Sequence, residues 1–227
     1  IRRPPRSTHC ISSAASDVYK RQALDFTDAI YLLFERGKAM QEAVPIGEGS
    51  MIAVLGLKID EIKELLKNRM EGKDICEVAN DNADGQVIIS GKKTTVDELQ
   101  KFLKDKKIKC IPLKVSAPFH CELMAPAAEQ MKIKLDSIKI DTPIVPIVSN
   151  VSAEAISDPD TIKKLLVSQV TGSVRWRESI LWMAANDVGE IWEVGSGKAL
   201  SGMIRRIDKD ISLKNFSSAE DIKSAVF

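Results

Sequence analysis

The sequence predicts an α/β protein of two units: a discontinuous larger domain of helices and short parallel strands, and a small β-α-β-β-α-β unit inserted into it. Three observations carry this expectation. A dense run of strand and helix signals occupies residues 47–117, longer helix-strand repeats follow Pro118, and a strong amphipathic helix precedes both. Helices alternating with short apolar strands favour parallel pairing through right-handed crossovers. The β-α-β-β-α-β order is the split-βαβ, ferredoxin-like arrangement, which closes its own four-stranded sheet.

Asp25 is a good N-cap and Asp28 sits in the first turn of FTDAIYLLFERGKAMQEAV, a helix that ends before Pro45. The text then predicts a strand at 50–56 (SMIAVLG), a helix at 59–67 and a strand at 74–80. A turn at Asn82-Ala83-Asp84-Gly85 leads to a strand at 86–90 (QVIIS), a helix at 94–105 and a strand at 109–115. Beyond Pro118 the spacing predicts a helix over 121–138, a strand within 146–151 and a helix over 159–170 capped by Asp158. A helix at 177–185, a strand at 190–194, a helix at 198–207 opened by Gly195 and Gly197, a strand at 211–215 and a short final helix complete the order. The domains therefore read as 23–46 with 118–227 for the larger unit and 47–117 for the smaller.

Residues 1–22 read differently. IRRPPRSTHCISSAASDVYKRQ has no apolar periodicity and holds five Lys/Arg against one acid, Asp17. Without it the formal charge turns from +1 to −3. The stretch has the look of translated sequencing-adapter DNA and is taken as a non-native tail; Pro4-Pro5 and the missing apolar stripe argue against a transit peptide.

Composition excludes several classes. With 44% hydrophobic and 29% charged residues among 227, disorder is not expected. A net charge of +1 gives no nucleic-acid-binding surface, and no apolar run approaches the roughly 18 residues that span a bilayer. Cys10, Cys76, Cys110 and Cys121 form no C-x-x-C pair, so neither zinc nor a disulfide framework is indicated, and a cytoplasmic setting is expected.

Three places could carry chemistry. Arg36 falls on one helix face with Ala29, Leu33, Met40 and Ala43, so a guanidinium interrupts an apolar stripe. It calls for a carboxylate or phosphate partner, and a snorkelling side chain or a salt bridge to a protein acid explains it equally well. His120, in SAPFHCELM, stands at the mouth of a helix whose N-terminus favours a neutral imidazole, suited to a general base or to a plain capping role. Cys121 beside it reads as a small buried thiol. The turn in EVGSGKALSGMIRRI could cradle an anion on free N–H groups, or could need its glycines only to turn; it is neither a Walker loop nor G-x-G-x-x-G.

The blocks ALDFTDAIYLLFERGKAMQEAVP, NDNADGQVIISG, VSAPFHCELM, VSQVTGSVRW and EVGSGKALSGMIRRI resemble, in order, those of malonyl-CoA:acyl-carrier-protein transacylases and of polyketide-synthase acyltransferase domains. The resemblance runs from Ala23 to about Asn215. It implies a hydrolase-like α/β domain with a ferredoxin-like insert, and Ser-His ping-pong transfer of malonyl from coenzyme A to the phosphopantetheine thiol of acyl carrier protein in fatty-acid biosynthesis. Malonyl-CoA is then a substrate, and no cofactor or metal is implied. By the resemblance His120 is the catalytic histidine, Gln169 the residue whose backbone carbonyl orients it, and Arg36 the grip on the malonyl carboxylate. Phe119 goes with malonyl selection, and Asn80 and Asn82 with the thioester channel.

One departure is large. The family's G-x-S-x-G elbow belongs directly upstream of ALDF, and no such motif occurs anywhere in the chain. The polypeptide as it stands is expected to be inactive. Two other readings stay open: an acyltransferase domain of a polyketide synthase, and a non-catalytic carrier-protein-binding or regulatory module.

Overall fold

The computed structural model describes Val18 and residues 22–224. Most of the stretch read as a non-native tail lies outside the described residues. Val18, which falls inside it, is buried in the large core, and its carbonyl accepts from the Ala23 N–H at 3.1 Å.

Helix α1 (Phe26–Glu42) starts where its cap dictates, with Asp25 accepting from the Thr27 N–H at 2.8 Å. Its buried face carries Ala29, Leu32, Arg36, Ala39 and Met40. Leu32 takes the place on the stripe that periodicity gave to Leu33, which is only half-buried.

Strands β1 (Gly49–Leu55), β2 (Cys76–Ala83), β3 (Gln86–Lys92) and β4 (Lys109–Pro112) form one antiparallel sheet in the order β2-β3-β1-β4. Helices α2 (Ile59–Met70) and α3 (Lys93–Asp105) follow β1 and β3. Ile52, Val54, Val87 and Ile89 pack with Ile62, Val96, Leu99 and Leu103 in one core. Met51, Ala53, Ala79 and Ile88 belong to the other core, with Leu32, Met40, Phe119 and Met131. Both faces are therefore covered, which is why β1 reads as an unbroken apolar run rather than an alternating one.

Two boundaries moved for local reasons. Asn82 and Ala83 were expected in the turn, but β2 runs to Ala83 and only Asp84-Gly85 make the loop. Two bulges, between Val78 and Asn80 and between Asp81 and Ala83, re-aim β2 on the way. Pairing of β4 ends at Pro112, which has no N–H to give to a ladder.

The region after Pro118 differs more. Instead of one helix over 121–138, a 3₁₀ turn (Glu122–Met124) leads into α4 (Ala125–Asp136). Pro126 dictates this, since proline fits the first turn of a helix and breaks its interior. Strand β5 (Ile147–Val148) is only two residues long and turns back to pair antiparallel with β6 (Ala155–Ile156), a strand not predicted. Helices α5 (Pro159–Thr171) and α6 (Trp176–Ala185) follow, with Asp158 capping α5 through the Thr161 N–H at 2.8 Å. Strand β7 (Glu190–Val194) pairs parallel with β8 (Ser212–Phe216) around α7 (Ala199–Ile207), and α8 (Ala219–Ser224) ends the described chain. Among the described residues, parallel pairing is thus confined to β7-β8 and a single bridge from Asn80 to Val174. Among the described residues the broader parallel sheet expected here is not seen.

Two glycines predict opposite outcomes. A Cβ on Gly49 would lie 2.3 Å from the ring of Pro118, so only glycine lets β1 pass the segment that carries His120. A Cβ on Gly37, inside α1, would meet nothing within 4 Å. Gly49→Ala is expected to cost about 1–3 kcal/mol through overpacking. Gly37→Ala is expected to gain about 0.5–1 kcal/mol from helix propensity. Urea unfolding of the two variants beside the parent chain measures both signs.

Candidate active site

His120 is held in an unusual place. Its backbone has φ of 59°, the left-handed region that non-glycine residues seldom enter, and its side chain is 4% exposed. Strain of this kind persists only where the surroundings over-determine it. They do so here through Pro118 against Gly49, Phe119 in the core, and the 3₁₀ turn on the other side.

The imidazole Nδ1 lies 3.0 Å from the backbone carbonyl oxygen of Gln169. A carbonyl can only accept, so Nδ1 carries the proton and Nε2 is left with its lone pair. Gln169 stands in the last turn of α5, where carbonyls lack helical partners, so the histidine satisfies a group the helix cannot. The Gly172 backbone reaches the imidazole as well.

Burial lowers the imidazole pKa, and the positive charge of Arg36 lowers it further; the Gln169 and Gly172 backbone groups pull the other way and lose. The outcome is about 4. Neutrality was expected from a helix N-terminus. It arises instead from desolvation and from Arg36, since a 3₁₀ turn separates His120 from α4.

Arg36 is 6% exposed. The structure thus brings together the two residues that broke their local patterns, a guanidinium and an imidazole, both drawn from water. Gln169 completes the group. Phe119 is packed into the core beside Met124 and Met131. Asn80 and Asn82 are half-buried on the bulged strand β2, and neither side chain is hydrogen-bonded to His120. The link from Asn80 is indirect: its bridge is to Val174, two residues beyond Gly172.

The glycine turn after β7 is not an open anion cradle. The Glu193 carboxylate accepts from the N–H groups of Leu200 and Ser201, the Ser201 hydroxyl and the Asn215 amide. Burial raises the Glu193 pKa, but these donors outweigh it and the net shift is downward. The N-terminus of α7 is therefore occupied by the chain's own anion. Cys121 is fully buried and donates to the Pro118 carbonyl at 3.2 Å, and burial raises its pKa, as suits an inert thiol. Among the described residues no cluster of His, Cys, Asp or Glu could hold a metal ion, and no helix is long and apolar enough to cross a membrane.

Comparison with known proteins decides the family. No family model matches the chain. The malonyl CoA-acyl carrier protein transacylase of Bacillus subtilis is 40% identical over 205 residues, covering 90% of this chain and 65% of the relative. The solved acyl-carrier-protein-S-malonyltransferase of Bartonella henselae is 44% identical with a TM-score of 0.88, covering 93% of this chain and 67% of that one. A malonyl-transacylase solved in complex with its type II PKS acyl-carrier protein is 35% identical with a TM-score of 0.87, covering 93% and 69%. The chain belongs to the malonyl CoA-acyl carrier protein transacylase family. It spans 60–65% of the length of the first curated relatives it matches in that family.

Two residues of this transacylase-family chain escaped the sequence reading. Asp81, between the two asparagines, is 2% exposed and paired with Arg177. Its only signal was an acid at an inward position of an alternating strand.

The buried histidine fixes a stability window. Unfolded, it titrates near about 6.5; folded, at about 4. Between these values the unfolded chain binds a proton that the folded chain refuses. Stability is then expected to fall by up to about 3 kcal/mol as pH drops from ~6.5 to ~4, with no further loss from this group below. Urea midpoints across pH for the chain and for His120→Asn measure it: the difference between the two profiles should be confined to that window.

Proposed function

We propose that this chain carries the acid–base and carboxylate-binding half of a malonyl-CoA:acyl carrier protein transacylase of fatty-acid biosynthesis, acting in the cytoplasm. The observation that carries the proposal is the neutral, buried imidazole with Nδ1 committed to the Gln169 carbonyl and Arg36 beside it. In this reading Nε2 takes the proton of a serine hydroxyl as its oxygen attacks the malonyl thioester carbonyl. The C–S bond breaks, and the imidazolium returns the proton to the leaving coenzyme A sulfur. The phosphopantetheine thiol of acyl carrier protein then repeats the sequence in reverse sense, releasing the serine. That serine belongs to a G-x-S-x-G elbow, which no part of this sequence supplies.

Arg36 is assigned to the free carboxylate of malonyl, the only group that separates malonyl from acetyl. A guanidinium in a largely dry site gains more from a carboxylate than one in water. Phe119, from the core side, is assigned to the shape of the acyl pocket, and Asn80 and Asn82 to the thioester channel.

The architecture is assigned as a hydrolase-like larger subdomain, residues 23–46 and 118–227, with a ferredoxin-like subdomain at 47–117. The antiparallel order β2-β3-β1-β4 with α2 and α3 on one face supports the second assignment.

Alone, the chain incubated with radiolabelled malonyl-CoA is expected to yield no acid-stable acyl-protein. Joined to a segment that supplies the G-x-S-x-G elbow the resemblance implies, it should transfer malonyl. In that joined protein Arg36→Ala is expected to lower the malonyl-over-acetyl ratio of kcat/KM by roughly 30- to 1000-fold, the worth of about 2–4 kcal/mol for a desolvated charged pair. Arg36→Lys should fall between, keeping charge without the planar fork. An unchanged ratio in Arg36→Ala would make the arginine structural and remove the substrate assignment.

A further inference from the structure

Asp81 is a nearly inaccessible carboxylate in the middle of β2. A buried ion pair is weak evidence of stability, because an apolar pair of similar volume often serves as well or better. Its presence calls for another account. Asp81 Oδ2 accepts from Arg177 Nε at 2.9 Å and lies 2.9 Å from Nη2, while Oδ1 makes no hydrogen bond within the described chain. One oxygen thus takes both arms of the guanidinium.

What lies between the partners matters more. Arg177 lies in the first turn of α6, and residues 172–175 join that helix to the end of α5. Val174 donates to the Ala79 carbonyl at 2.8 Å and accepts from the Asp81 N–H at 2.9 Å. Upstream, Gly172 donates to Ser168 at 2.7 Å, and Gln169 holds the imidazole. The segment 169–172, which meets His120 at Gln169 and Gly172, therefore runs directly into a strap fastened to β2. Two backbone bonds and the Asp81–Arg177 ion pair do the fastening, with a longer contact of 3.7 Å from Arg177 to Asp84 beside it, and Asp81 supplies a group to each kind.

We propose that Asp81, acting through Arg177, is a positioning residue for His120: it pins residues 173–177 to β2 and so keeps the Gln169 carbonyl on imidazole Nδ1. Only its catalytic consequence rests on the reading of His120 as the base; the geometry it fixes stands without substrate.

The test reads the imidazole directly. The chain holds two histidines, so His9→Gln leaves one ring for ¹⁵N-histidine labelling. Exchange of the Nδ1 proton with water is followed beside urea unfolding. Asp81→Asn and Arg177→Gln should each speed exchange at least about tenfold beyond what any loss of global stability accounts for. The double variant should be no faster than Arg177→Gln alone, since the Asp81 pair is then removed twice and the contact to Asp84 is already lost in that single variant. Arg177→Lys should stay within about threefold of the parent, keeping a charge on Oδ2. Unchanged exchange in Asp81→Asn, additive effects in the double variant, or acceleration that merely tracks global stability would each overturn the proposal. Arg177 is part-exposed, so its variants report even if Asp81→Asn does not fold. Absence of malonyl transfer would leave the measurement untouched, so the two readings fail separately.

Discussion

The bond between His120 Nδ1 and the Gln169 carbonyl is the contact on which the candidate site depends. It consumes an acceptor that α5 would otherwise leave bare, fixes the tautomer, and holds a residue in a backbone conformation it would not choose. None of this is local to the SAPFHCELM segment. Phe119 and Pro118 are anchored by the large core and by Gly49, and Gln169 arrives on a helix from 49 residues away.

The sheet supplies the rigidity that such a contact needs. Because β1, β2 and β3 are covered on both faces, the antiparallel unit is not a pendant module: its second face is part of the wall of the other core. Three connections tie it to the His120 region. Gly49 admits the Pro118 ring, Glu77 caps the Glu122 N–H at 2.9 Å, and Val174 lies along β2. The last also covers an edge strand, whose open N–H and C=O groups would otherwise invite pairing with another chain. Arg206 of α7 reaches Gln86 at the start of β3, so the final helix-strand unit is fastened to the same sheet.

Much of this was legible in the sequence, for identifiable reasons. Caps and breakers act over a few residues, so Asp25, Asp158 and Pro45 marked helix ends, and the EIWEV strand runs over the predicted residues. The β-α-β-β-α-β order followed from period and turn chemistry, since Asp84-Gly85 dictates a hairpin whatever surrounds it. Where the reading slipped, the deciding force was tertiary or a local signal was passed over. The Ala155–Ile156 strand exists only because the chain doubles back at residues 149–154. Pro126 was available to place the start of α4 and was overridden by apolar periodicity. Arg36 and His120 were each visible as anomalies, but their proximity, and the Asp81–Arg177 pair across 96 residues, depend on how the units dock. The Glu193 cap is instructive in the same way: a glycine turn before a helix signals anion-binding N–H groups, yet not whether the anion is a ligand or the protein's own side chain.

The closeness of Arg36 to His120 has a physical cost that bears on how the pair works. A guanidinium near an imidazole makes the ring a weaker base, and burial weakens it again, to about 4. A base so weak is fully deprotonated at neutral pH but has little drive to take a proton, which is not the optimum for general-base work. Under the proposed reading the substrate changes this balance. A malonyl carboxylate paired with Arg36 offsets the charge that adds to the depression, so the ring becomes a stronger base, while burial, the larger cause, stays in place. An acetyl group, with no carboxylate to offer, leaves the depression in place. Selectivity then has two sources: direct pairing with the guanidinium, and a base that strengthens when a substrate carboxylate meets that guanidinium. The second requires Arg36 to be near the imidazole rather than merely near the acyl group, and the fold meets that requirement by burying both residues in one site.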